Sequence, residues 1–185
     1  MFATAAAAMA LIASSVPSQS QQRAAAGEQT DFSAEDEAVQ QPVTIPDDVW
    51  KVLQNDEQVK NLLEGERLSP ERLPRSWFSV STLHLHNAHT RDMLVEGEGV
   101  LRGANVNTFW VFVQTAHGLK LALMIPAHDL MVRPQRFGGY KTIEAASMNC
   151  CTVFTTRLRF DGKRYIELGH SSEGADCKHG TKAPS

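Results

Sequence analysis

This chain of 185 residues has only three cysteines, almost no net charge and no apolar run long enough to span a bilayer with confidence. A domain of this length can bury a core without disulfides or metal, so scarce cysteine is no obstacle to folding. The formal net charge of −3 is too small to point to nucleic acid or a membrane surface as partner. Catalytic signatures are missing too: there is no G-x-S-x-G elbow, no phosphate-binding glycine loop and no H-E-x-x-H. The carboxylates after Asp48 are scattered, and His128-Asp129 are sequence neighbours whose side chains would diverge on a strand. Together these absences predict a protein that is not an enzyme.

Charge is also missing locally. The first twenty residues carry no charged side chain, and Ala5 to Val16 (AAAAMALIASSV) is a continuous run of small and apolar residues. That run, followed by Pro17 and small residues, matches a secretory signal peptide over residues 1–20, with cleavage after Ser18 or Ser20, although the usual basic start is lacking. The expected location is therefore the periplasm or the exterior, with no membrane span after signal removal. Between Glu28 and Asp48 there are seven acidic residues and no basic one. Setting those seven and Arg23 aside leaves 17 basic and 14 acidic residues from Val49 onward. The composition of residues 21–45 predicts an acidic, disordered linker, which either stays solvated or is drawn weakly to the mildly basic domain.

Residues 46–169 read as a single α+β domain, mainly β. Pro46, Asp47 and Asp48 start a helix, and Val49, Val52, Leu53, Val59, Leu62 and Leu63 form one apolar stripe ending at Gly65. Ser69-Pro70 opens a short second helix. From Trp77 the period becomes two. Phe109 to Thr115 and Leu119 to Ile125 flank Ala116-His117-Gly118, and Thr152 to Phe160 and Lys163 to Leu168 flank Asp161-Gly162. Counting all such runs gives an antiparallel sheet of about seven strands with the helices packed on it. Residues 170–185 read as a loose polar tail.

SWF (Ser76 to Phe78), LRGAN (Leu101 to Asn105), FWVF (Phe109 to Phe112) and the ending GGYKTIEA…LRFDGKRY (Gly138 to Tyr165) resemble those of small exported bacterial β-proteins of unassigned function. The resemblance covers about half the chain and rests on turn glycines and sheet aromatics. It implies an exported β domain and no catalytic residue.

Three groups of residues are candidates for a site. Phe109-Trp110-Val111-Phe112-Val113 is apolar on both strand faces, so either two layers cover it or an aromatic patch stays exposed. In the second case Trp110, Phe112 and Trp77, rimmed by Arg157, Arg159 and Arg133, would form a binding surface for a protein or envelope component. His84, His86 and His89 form the second group. Alternate histidines on a strand lie roughly 6.5 Å apart and suit zinc or copper, although no cofactor is required by the rest of the sequence. The third is cysteine. Cys150 and Cys151 would point to opposite faces of a strand, so one of them, Cys151, could pair with Cys177; three reduced packing cysteines are the alternative.

Overall fold

The computed structural model describes residues 27–149 and 151–174. Helix α1 (Asp47–Asn55) begins after Pro46, with Asp47 and Asp48 in its positively polarised first turn. Val49 and Leu53, one turn apart, are buried on one face. The same stripe continues through Val59 and Leu63, but on a separate helix, α2 (Glu57–Gly65). The single helix expected over 47–64 breaks at Asp56, whose backbone is extended at φ −65°, ψ 134°. Its carboxylate accepts from the N–H groups of Gln58 at 2.9 Å and Val59 at 3.2 Å. A short acceptor side chain competes with helix continuation and restarts the helix as a cap, a local effect that hydrophobic periodicity does not register. The short second helix expected after Ser69 is one 3-10 turn, Pro70–Arg72.

Among the described residues nine strands follow the α+β, mainly β expectation, but they form two sheets rather than one. β2 (Phe78–Leu83), β3 (Asp92–Gly97), β4 (Asn107–Thr115) and β5 (Gly118–Ala127) make a four-stranded sheet in chain order. β6 (Asp129–Phe137), β7 (Tyr140–Asn149), β8 (Thr152–Phe160) and β9 (Tyr165–Gly174) make the second, with β1 (Asp31–Ser33) beyond β6. Every pairing is antiparallel. His128 alone links β5 to β6, and there the meander passes from one sheet to the other. Two local features shape the β6–β7 hairpin. A register shift between Arg133 and Arg136 accommodates Pro134, so β6 runs on to Phe137. Gly138 and Gly139, at φ 57° and 87°, then close a two-residue turn that needs left-handed backbone at both positions. The Asp161-Gly162 turn spans four residues, because Asp161 Oδ1 accepts from the N–H groups of both Lys163 and Arg164.

Strand β4 sets the layering. Phe109, Val111 and Val113 point into a core shared with Leu130, Val132, Ile143 and Leu158 of the second sheet. Trp110 and Phe112 point the other way, against Val49, Leu53, Val59 and Leu63 of the helices. The order of layers is therefore helices, four-stranded sheet, five-stranded sheet. Trp110 is held further by its indole N–H, which donates to Asp56 Oδ2 at 3.0 Å.

The acidic linker expectation fails for residues 27–45. β1 pairs with β6, and Phe32, Val39 and Ile45 are buried in the two cores. Few apolar residues are present in this segment, but Phe32 and Val39 are inserted into the core between the sheets and Ile45 into the helix-side core. Its acids meet the domain's bases: Glu28 lies 3.1 Å from Lys141, Asp31 3.8 Å from Arg133 and Glu35 3.7 Å from His128. The loose tail expected from residue 170 is corrected for residues 170–174, where β9 pairs with β8 as far as Gly174; the rest of it lies outside the described residues. The expected signal peptide, residues 21–26 of the linker, Cys150 and Cys177 lie outside the described residues. Cys151 is disulfide-bonded, with its partner also outside them.

Phe32, only 1% exposed, should be a stability determinant if this segment is part of the fold. Replacing it with alanine is expected to cost about 3–5 kcal/mol in urea unfolding. A solvated linker would give no change.

Candidate functional site

The helices cover one face of the four-stranded sheet and the second sheet the other, with Leu121 and Met124 of edge strand β5 left exposed, whereas the outer face of the five-stranded sheet is covered by no other described element. Side chains on this face follow from strand alternation. Leu130 and Val132 of β6, Ile143 of β7 and Leu158 of β8 point inward, so Arg133, Glu144, Arg157 and Arg159 point out. Glu144 sits at the centre. Arg133 Nε donates to its Oε2 at 2.7 Å and Arg157 Nε to its Oε1 at 3.0 Å. Partial burial pushes the pKa of Glu144 up, but the hydrogen bonds and charges of the two guanidiniums outweigh that and hold it below the ordinary carboxylate range.

Beside this trio runs an open groove of about 470 Å³, lined by Arg133, Arg136, Phe137, Glu144, Arg157 and Leu168, among others. Arg157 keeps 60% of its side chain exposed. The Arg159 guanidinium lies 4.9 Å from the centre of the Phe137 ring, which is 46% exposed. Leu168 is the extra residue of a β-bulge against β8 and is also exposed. Arg136 is committed to structure: its Nη1 donates to the carbonyls of Leu85, His86 and Gly139. The result is a cationic, partly apolar surface on a rigid sheet, suited to binding an anionic group next to an apolar one.

The residues proposed from sequence separate across the fold. Trp110 and Phe112 are 0% exposed and belong to the core, because the helices and the second sheet cover the two faces of β4. Trp77 packs half-buried against the helix-side core. Of these residues the arginines, Arg133, Arg157 and Arg159, reach the open face, on the opposite sheet from the aromatics they were expected to rim. The histidines are also kept apart. β2 stops at Leu83; His84 Nδ1 then lies 3.5 Å from Glu28 Oε1, while the His86 ring stacks on Tyr140 with centroids 4.6 Å apart. His89 lies in an exposed turn built on Asn87. Among the described residues no group of three or more histidine, cysteine or acidic side chains is gathered as a metal site. Phe137, Glu144 and Leu168 were missed in the sequence, although the alternation of β6 to β8 placed Glu144 on the same face as the arginines.

A second polar cluster was invisible in the sequence. Glu96, at the end of β3, is 1% exposed. Its Oε1 accepts from Asn107 Nδ2 at 2.7 Å and from Arg102 Nη2 at 3.3 Å. Arg102 Nη2 also lies 3.1 Å from Glu98 Oε2, and its Nη1 donates to the carbonyl of Asp36 in the N-terminal segment. Gly97 makes room for this network, since a Cβ there would lie 2.9 Å from Leu101 Cβ and 3.0 Å from Asn107 Oδ1. Burial and then the charge of Glu98, with a smaller push from Asp36, raise the Glu96 pKa to about 7, against the opposing bond from Asn107 and charge of Arg102. The cluster joins β3, the start of β4 and the N-terminal segment, and its role here is structural.

No protein-family model, curated protein or solved structure matches the chain. The fold itself defines an α+β protein of two packed antiparallel sheets under two helices, and among the described residues no helix is long and apolar enough to cross a membrane.

Glu96 makes stability depend on pH. The unfolded carboxyl releases its proton near 4.5 and the folded one near 7, so the native state binds more protons between those values and loses stability as pH rises through them. For this buried group the loss is on the order of 3 kcal/mol. Glu98, raised in the same direction by burial, adds to it. Urea midpoints measured on either side of the window should show a steeper decline for wild type than for Glu96→Gln, with the variant the more stable on the alkaline side. Equal slopes would remove Glu96 from the account.

Proposed function

We propose that the protein is an exported, non-enzymatic binding module that engages a protein or envelope component through the outer face of its five-stranded sheet. One observation carries this reading: the uncovered face combines outward guanidiniums with exposed Phe137 and Leu168, while Phe109, Trp110 and Phe112 of β4 serve the core. Exposed apolar side chains bordered by charge mark contact surfaces, and arginine and aromatic residues dominate the energetics of such contacts. Rigidity supports it as well, because the face is held by four adjacent antiparallel strands rather than by loops. Export is supported by the Ala5 to Val16 run and by the resemblance of the SWF, LRGAN and FWVF segments to exported β-proteins. Zinc or copper binding has no comparable support, with His84, His86 and His89 engaged apart from one another.

Two measurements test the reading. N-terminal sequencing of the protein recovered from the cell that makes it should begin after Ser18 or Ser20; intact chain in the cytoplasm would overturn export. A photo-crosslinking residue at position 137 should yield a discrete adduct in that cell, and one at exposed Val100 should not. No adduct at 137 would remove the outer face as the binding surface.

A further inference from the structure

The outer face also specifies what it binds. We propose that Arg157 and Arg159 receive the carboxylates of an extended acidic segment of a partner protein, one with acidic residues at alternate positions. The inference rests on the binding-module reading above and adds the chemistry of the occupant.

Spacing is the first argument. Arg157 and Arg159 flank inward-pointing Leu158 on β8, so their side chains leave the same face two residues apart. That separation is roughly 6.5–7 Å, the same repeat that brings every second side chain of an extended peptide onto one side. Carboxylates at positions i and i+2 of such a segment therefore match the two guanidiniums in register.

Charge is the second. The groove holds three arginines against one glutamate, and Glu144 is already shared by Arg133 and Arg157. Arg159 makes no ion pair among the described residues; its cation rests on the Phe137 ring. Arg157 uses its Nε on Glu144 and stays largely exposed. Charge-assisted bonds from both are thus open to a ligand, and Phe137 and Leu168 supply apolar contact beside them.

The chain's own N-terminal segment offers the third argument. β1 is an extended, acidic stretch laid against β6, with Asp31 facing Arg133 at 3.8 Å. One edge of this sheet therefore already accepts a carboxylate-bearing strand. At the opposite edge, β9 is the last strand among the described residues, so an incoming segment beside Leu168 meets backbone groups suited to extended chain.

Fluorescence anisotropy on the mature protein tests this, using a labelled decapeptide of alternating Glu and Thr, its Gln/Thr counterpart and a sulfated oligosaccharide. The Glu/Thr peptide should bind, weaken as salt screens the charges, and lose about tenfold or more in affinity on Arg157→Gln with Arg159→Gln. Arg159→Gln alone should also weaken it; that change breaks no ion pair within the protein, so a loss with unchanged unfolding reports on the ligand. Equal binding of the two peptides, or no effect of either variant, would overturn the proposal. Binding of the oligosaccharide alone would assign the face to an anionic glycan, overturning the peptide while the crosslink at position 137 still upholds the binding module. No binding of any probe alongside that crosslink would show that the occupant is not anionic.

Discussion

The requirement that β4 be buried on both faces governs the rest of the structure. Phe109, Val111 and Val113 on one side and Trp110 and Phe112 on the other cannot be satisfied by a single sheet with one helical cover. Helices take one side and a second sheet takes the other. The remaining strands then follow a simple meander, four in the first sheet and four more in the second, completed by β1 at the edge. Once the two inner interfaces are filled, the outer face of the second sheet is covered by no other described element.

Acidic side chains fasten these layers together. Asp56 caps α2 and accepts the indole N–H of Trp110, joining helix to sheet through one carboxylate. Asp92, fully buried, accepts from the backbone of Leu85 on one side and of Gln114 on the other, pinning the turn after β2 to β4. Such bonds matter because an unpartnered buried acceptor costs more than a satisfied one contributes. The surface ion pairs of the N-terminal segment are weaker by nature. Phe32 and Val39 in the inter-sheet core anchor that segment, and its charges set where it lies.

Local signals in the chain were legible where the physics is local. Thr152 to Phe160 was legible as a strand because alternation and the Asp-Gly turn both act within a few residues. The β4–β5 hairpin was legible for the same reason. The break at Asp56 was not. The apolar stripe runs through it unaltered, from Val49 and Leu53 on α1 to Val59 and Leu63 on α2, and only the aspartate's competition for backbone N–H groups interrupts the helix. Residues 27–45 misled for a different reason. Their composition is that of a solvated linker, yet a few apolar side chains suffice when each meets a prepared slot.

The candidate site divides along the same line. By itself the sequence determined the mainly β, α+β class, the two-faced apolar character of β4 and the outward placement of Arg157 and Arg159 relative to Leu158, since each depends on periodicity along one strand. Only the tertiary structure decided that Trp110 and Phe112 are core, that the arginines lie on the other sheet, and that Glu144 and Phe137 stand beside them. It also brought Glu96 to Asn107 and Arg102, and sent His84 and His86 to different partners. Those outcomes depend on which sheet each strand joins and what covers each face, and these are set by packing between residues far apart in the chain.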